Sequence, residues 1–404
     1  MLVYTQLKCQ RLVLKKIIFL LFPALTVLFA FAPLAKGDGS WQLLKTKNDP
    51  GGRSECSMAA VNGKLYLIGG DAGQALPVEC LDPKTLTWTK LVMAPTVMHH
   101  FQVVALGNKI YCLEAFSTGG FPNQEPMANV YIYDTQSNTW QKGGEMPAAR
   151  RRAGAGAALY KDKLYLVDGI QHGHASGTNN MFDVYDPATN KWSALPSAPH
   201  IRDHCFAAVI GDKLYVAGGR NTSFRDPANK VNFFSQVVLD VDCYDFTTGK
   251  WSTLAAKLPL GTGGGSLVNF NNKLYYMGGE RATATEQNAP RKNTYYYDPA
   301  TKGGWIATGD LNMARNGTSA AVLDGKIYLA GGVGGGPGGP PPPNGQRPGN
   351  PPGGQQPGSN PRPGGPPPGG NAPPPPQGQG NPPRGPGGPM PGGGSIAVEV
   401  FTLK

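Results

Sequence analysis

One phrase governs what this chain can fold into: lysine, then leucine or isoleucine, then tyrosine, at 64–66, 109–111, 163–165, 213–215, 273–275 and 326–328, each opening a short apolar run. Four copies close on paired glycines, at 69–70, 218–219, 278–279 and 331–332. A second phrase follows in the first five repeats: VECLDPKTLTW (78–88), VYIYDTQSNTW (130–140), FDVYDPATNKW (182–192), VDCYDFTTGKW (241–251) and TYYYDPATKGGW (294–305). Each reads as a strand, an aspartate-led turn, and a tryptophan opening another strand. The tryptophans are out of phase with the lysine phrases, because Trp41 precedes the first and none follows the last. The sixth unit must therefore be completed by SWQLLK (40–45) together with IAVEVFTLK (396–404). An all-β ring of four-stranded sheets, its last sheet closed by strands from both termini, leaves no open edge.

The GKLYLIGG and YDPATNKW phrases, with a period of roughly fifty residues, resemble the kelch repeat. The resemblance covers essentially all of the foldable chain and implies a six-bladed kelch β-propeller. It says little about activity, because kelch propellers serve as enzymes, adaptors and binding modules.

Two segments fall outside the repeat. Residues 1–37 place Lys8, Arg11, Lys15 and Lys16 before the apolar run 17–32, followed by small residues at Ala35 and Gly37. That pattern suits a secretory signal peptide, with an uncleaved signal anchor as the alternative, and implies a secreted or periplasmic protein without stable membrane insertion after cleavage. Residues 333–394 are almost entirely Gly, Pro, Asn and Gln. Such a tract cannot bury enough apolar surface to order itself, so disorder is expected there. The propeller is expected over 38–332, with 395–404 as its closing strand. Five bases precede residue 38 and three lie in the tract, leaving 29 against 26 acids in the remainder despite the formal +11. That field is too weak to argue for nucleic acid. Of six cysteines, five follow the signal; buried free thiols and a monomer are expected.

The chemistry is expected where the repeat breaks. Eleven residues before each repeat lysine, at the start of strand a, stand Arg53, Met98, Arg152, Arg202, Thr262 and Arg315. At the end of strand b, Glu114-Ala115 and Asp168-Gly169 replace Gly-Gly in blades 2 and 3. All six histidines, at 99, 100, 172, 174, 200 and 204, fall in blades 2 to 4. In an antiparallel a-b-c-d blade the start of a, the end of b and the b–c loop share one face. A polar mouth is therefore expected there, lined by Arg53, His100, Arg152, His172, His174, Arg202, His204, Arg220 and Arg315, with Glu114 and Asp168 as candidate acid and base. The competing reading pairs those carboxylates with those arginines for structure alone, and treats His100 and His204, at equivalent repeat positions, as architecture. The HGH at 172–174 lacks a defined third ligand, so no metal site is expected. No G-x-S-x-G elbow, P-loop or spaced CxxC pair is present, and no cofactor is expected.

Two functions follow. The first is an exported module binding a carbohydrate or a protein segment. The second comes from a resemblance to the bacterial N-acetylneuraminate mutarotases, exported six-blade kelch propellers closed by an N-terminal strand. It implies sugar ring opening by Glu114 or Asp168, with Arg152 or Arg202 holding the substrate carboxylate. The proline-rich tract departs from that family.

Overall fold

The structure, a computed structural model, describes residues 37, 39–224, 233–283, 288–301, 303–335 and 397–404. The expected signal segment and nearly all of the proline-rich tract lie outside the described residues. Among the described residues no helix is long and apolar enough to cross a membrane.

Six antiparallel sheets with strand order a-b-c-d form the blades. Blade 1 comprises Ser57–Val61, Lys64–Ile68, Pro77–Asp82 and Thr87–Met93. Blade 2 comprises Val104–Leu106, Lys109–Cys112, Asn129–Asp134 and Thr139–Glu145. Blade 3 comprises Gly156–Tyr160, Lys163–His172, Ser176–Asp186 and Lys191–Leu195. Blade 4 comprises Asp203–Ile210, Lys213–Arg220, Asp242–Asp245 and Lys250–Thr253. Blade 5 comprises Gly263–Phe270, Lys273–Arg281, Thr294–Tyr297 and Ile306–Ala307. Blade 6 takes Ala314–Leu323 and Lys326–Gly335 from the last repeat, Val398–Leu403 from the C-terminus and Gly39–Leu44 from the N-terminal side.

The closing pair runs from Gly39 opposite Leu403 to Leu44 opposite Val398, with Trp41 packed on Phe401 at 5.3 Å between ring centroids. Strand b of blade 6 continues through Val333, Gly334 and Gly335, three residues beyond the boundary expected from composition, because strand a extends to pair with them.

The repeated phrases have local causes. In all five c–d hairpins an aspartate Oδ1, from Asp82, Asp134, Asp186, Asp245 or Asp298, accepts the backbone N–H two residues on at 2.9–3.0 Å. This turn competes with continued extension and fixes the hairpin register. Tyr133, Tyr185, Tyr244 and Tyr297 pack against Trp140, Trp192, Trp251 and Trp305 at 5.1–5.6 Å. The core lies between blades: Ile68 and Val78 of blade 1 meet Val103, Ile110 and Tyr133 of blade 2. Leu65 and Leu67 on blade 1's other face meet Tyr328, Val398 and Val400 of blade 6, which completes the ring. The five described cysteines are free and buried in these interfaces.

Candidate functional site

The strand-a arginines act inside their blades. Arg53 donates to the carbonyls of Gly69 and Pro77, both at 3.2 Å, and pairs with Glu79 at 2.5 Å. Arg315 repeats this with Gly331, Ala397 and Glu399 at 3.1, 2.9 and 2.7 Å. Arg202 does so with Gly218, Asp240 and Asp242 at 3.1, 2.9 and 2.6 Å. Arg152 reaches the carbonyls of Asp168 and Met181 and pairs with Asp183 at 2.8 Å. Blades 2 and 5, with Met98 and Thr262 at the arginine position, carry Tyr131 and Tyr295 at the acid position opposite strand b. Arginine and acid are present or absent together, because a buried charge without its partner is costly. Arg152, Arg202 and Arg315 are fully buried, so their guanidinium groups pin strands a, b and c rather than face a ligand.

Glu114 and Asp168 are buried in the same layer. Asp168 Oδ2 lies 3.3 Å from Arg202 Nε of the following blade. Burial pushes the Asp168 carboxyl well above its usual range, and the neighbouring Asp242 adds to this against Arg202 and Arg152. Glu114 is raised by burial in the same way, opposed by Arg152 and by the nearby N–H groups of Ala155, Gln102 and Gly154, although none of these makes a hydrogen bond of good geometry. The two carboxylates thus stand toward the arginine of the next blade. His172 is exposed at the end of strand b, where it pairs with Ser176 through the backbone.

A different ring forms the mouth. Nine residues before each repeat lysine stand Glu55, His100, Gly154, His204, Gly264 and Gly317, all left-handed, with φ of 53, 59, 64, 54, 66 and 61°. Backbone bonds link successive members: Glu55 N–H to Gly317 O at 2.7 Å, His100 N–H to Glu55 O at 2.9 Å and Gly154 N–H to His100 O at 2.7 Å. Equivalent positions of a closed ring, bonded in turn from blade 6 through blades 1 and 2 to blade 3, encircle its axis. Three blades keep glycine, the residue for which this conformation is inexpensive, while three place Glu55, His100 and His204 there at about 1–2 kcal/mol of strain each.

His174 joins them from the b–c hairpin of blade 3. Its N–H donates to Pro122 O at 2.7 Å, and a Cβ at the preceding Gly173 (φ 56°) would sit 2.2 Å from that same oxygen. The glycine inside HGH therefore lets the hairpin dock on blade 2. The rings of His100, His174 and His204 are mutually 5.0–5.2 Å apart. Around them, His99 Nδ1 meets His100 Nδ1 at 2.6 Å, Gln124 Oε1 meets His174 Nδ1 at 3.1 Å, and Asp203 Oδ1 meets His204 Nδ1 at 2.5 Å. Arg220 pairs with Glu280 at 2.6 Å, and its guanidinium lies over Phe233 and Phe234 at 5.1 and 4.8 Å.

Electrostatics follow from this crowding. Burial holds His100 and His174 well below the usual imidazole range, and neighbouring histidines and Arg220 reinforce it. His204 is lowered by burial and Arg220 against the opposing pull of Asp203. Asp203 resists burial through the bonds and charge of His204, with Arg220 and Thr178 contributing, and falls to about 2. It is an anion at neutral pH and accepts the His204 Nδ1–H. Glu55 is pushed up to about 8 by burial, then by Glu280, against Arg220.

Of the residues expected at the mouth, the structure brings together His100, His174, His204 and Arg220. It adds Glu55, His99, Asp203 and Glu280. The signal for Glu55 was its position nine before the repeat lysine, matching His100 and His204. A cleft of about 730 Å³ beside the closing strand, lined by Trp41, Lys292, Asp310, Asn312 and Lys404 among others, contains none of these groups.

Comparison with known proteins agrees with this architecture. A family model described as the KLHDC2/KLHL20/DRC7 Kelch-repeats domain matches residues 119–332, and a Kelch motif model matches 52–92. The chain is similar to kelch-like protein terF of Aspergillus terreus, 26% identical over 293 residues, covering 69% of this chain and 61% of that protein. It is similar to human kelch-like protein 23, 28% identical over 274 residues, covering 66% and 43%. Alpha-scruin of Limulus polyphemus is 28% identical over 226 residues, covering 54% and 23%. The chain thus spans less than two thirds of each of these relatives. Among solved structures, that of YjhT superposes with a TM-score of 0.61 at 19% identity, covering 73% of this chain and 94% of that one, a likeness of fold. Matched by a kelch-repeat domain model over more than half its length, the chain belongs to the kelch-repeat family.

Proposed function

We propose that this kelch propeller is an exported ligand-binding module that takes a carbohydrate, or failing that a protein segment, at its axial mouth. One observation carries the reading: Glu55, His100 and His204 hold left-handed positions where the other three blades keep glycine. Strain of this kind persists where a side chain is needed for something other than folding. Phe121 supports the carbohydrate class, because its ring is 60% exposed and lies 5.2 Å from His174. An exposed aromatic face beside mixed donors and acceptors suits a sugar's apolar face and hydroxyl rim. Export rests on the composition of residues 1–37. The test is calorimetry of the full chain against neutral and acidic glycans, alongside His204→Gly and Phe121→Ala. Saturable binding by wild type that either substitution weakens supports the reading. Binding that neither variant changes would place the ligand elsewhere, and silence across the panel would remove carbohydrate as the ligand class.

A second reading, mutarotation of the N-acetylneuraminate type, has its own support. A general acid or base works best with a pKa near the operating pH, and Glu55, raised to about 8, stands 3.7 Å from His100 on the same axial ring as His204, which pairs with Asp203. These groups, rather than Glu114 and Asp168, would move the proton between the ring oxygen and the anomeric hydroxyl. Accelerated anomeric exchange in NMR, lost in Glu55→Gln, would support it. Exchange at the uncatalysed rate would exclude it.

A further inference from the structure

We propose that His100, His174 and His204 together bind one divalent transition-metal ion of the zinc class on the propeller axis. One ring nitrogen from each of these three buried histidines lies within 4.8 Å of the other two. They come from three segments far apart in the chain, so no helix or hairpin spacing accounts for their meeting.

Hydrogen bonding decides which nitrogens converge. The Nδ1 of His204 is held by Asp203, that of His174 by Gln124 and that of His100 by His99. With each Nδ1 so engaged, Nε2 is the ring nitrogen that would bind the metal. Metal-ligating histidines are oriented in this way, the remote nitrogen fixed by a carboxylate, an amide or another acceptor. A second observation is independent of that arrangement: His204 Nε2 is buried and has no hydrogen-bond partner among the described residues. An unmet buried acceptor is destabilising. A cation would satisfy it.

Glu55 Oε2 lies 3.7 Å from His100 Nε2 but does not converge with all three rings, so the histidines alone define the site. Three imidazoles favour a borderline transition metal over calcium or magnesium, which prefer oxygen shells. Metal–nitrogen bonds of about 2.0–2.1 Å would draw the rings in by roughly an ångström. Phe116 packs on His99, His100 and His174 at 5.6–5.9 Å and forms an apolar wall. Arg220 opposes a cation here, but Glu280 pairs with it, and Asp203 adds a further negative charge. The site stands whether or not the mouth binds a sugar.

The test uses the full chain, stripped with a chelator and dialysed, then titrated with Zn²⁺ by calorimetry and with Co²⁺ by visible absorption. One equivalent per chain is expected, with Co²⁺ bands reporting nitrogen coordination. His204→Gly and His174→Ala should each weaken binding by more than about 100-fold, and Asp203→Asn by about 10–100-fold through the lost orientation of His204. His200→Gln serves as the control for adventitious histidine binding, since His200 pairs with Asp240 and Asp242, and should change nothing. His204→Gly places at that position the residue three other blades use, and its melting curve without metal checks that it folds. If it does not, the Asp203→Asn titration and the wild-type Co²⁺ spectrum decide the matter. Absence of stoichiometric binding by wild type, or equal binding by His204→Gly and His174→Ala, would overturn the proposal.

Discussion

At the residue scale, the same side-chain types fall into two roles that chain position separates. Arg53, Arg152, Arg202 and Arg315 stand eleven residues before the repeat lysine and pin three strands of their own blade; Glu55, His100 and His204, two residues further on, face the axis. The arginines were legible as a repeat feature that could pair locally, but their partners were not, because those stand on strand c. The pairing has a signature in the repeat itself: Glu79, Asp183, Asp242 and Glu399 share one register position with Tyr131 and Tyr295, and the acid is lost wherever the arginine is. His174 could not be read that way, since its place depends on a hairpin of blade 3 docking on a loop of blade 2. Arg53→Met should cost about 3–5 kcal/mol in denaturant unfolding, because it leaves Glu79 buried and unpaired. Arg53→Met with Glu79→Tyr, which copies blade 2, should recover most of the loss. A double variant no better than the single one would show that the ion pair is not the unit.

Glu55 gives a pH signature with a definite sign. Its folded pKa, near 8, lies above its ordinary value of 4.5, so the fold holds the proton more tightly than the unfolded chain does. This contribution is fully present below about pH 4.5 and is lost as pH rises toward 8. In chelated buffer, wild type should therefore lose stability relative to Glu55→Gln across that window, on the order of 1–3 kcal/mol, limited because the side chain is 16% exposed. Parallel pH profiles for the two proteins would contradict it.

At the scale of elements, the aspartate turns and the tyrosine–tryptophan pairs were legible because each depends on neighbours a few residues apart. The closing strand was legible for another reason. One tryptophan too many at the front of the repeat left one strand missing at the back, and Gly39–Leu44 fills that place. Less legible was the end of strand b in blade 6, where Val333–Gly335 have tract-like composition yet pair with Ala314–Asn316. Composition reports what a segment can bury, and a strand of glycines can still be held by its partner's backbone. Trp41 is buried, packs on Phe401 and donates Nε1–H to Thr294 Oγ1 at 3.1 Å. Trp41→Ala should cost about 3–5 kcal/mol and release the N-terminal strand first. Hydrogen exchange should show protection lost over Gly39–Leu44 before other blades; a uniform loss would mean that closure is not local.

At the scale of the whole molecule, the repeat builds a ring whose default axial residue is glycine, and the chain departs from that default on only part of the circle. If Glu55, His100 and His204 serve a ligand, they lower stability; if they serve the fold, they raise it. The most direct measurement is the thermal melting curve of the triple variant Glu55→Gly, His100→Gly, His204→Gly beside wild type, in chelated buffer without ligand. Relief of left-handed strain, set against about 0.5–1 kcal/mol of glycine entropy at each position and the lost side-chain contacts, should leave the variant melting within a few degrees of wild type or above it. A variant that melts far below wild type would contradict the account and make these three side chains part of the architecture.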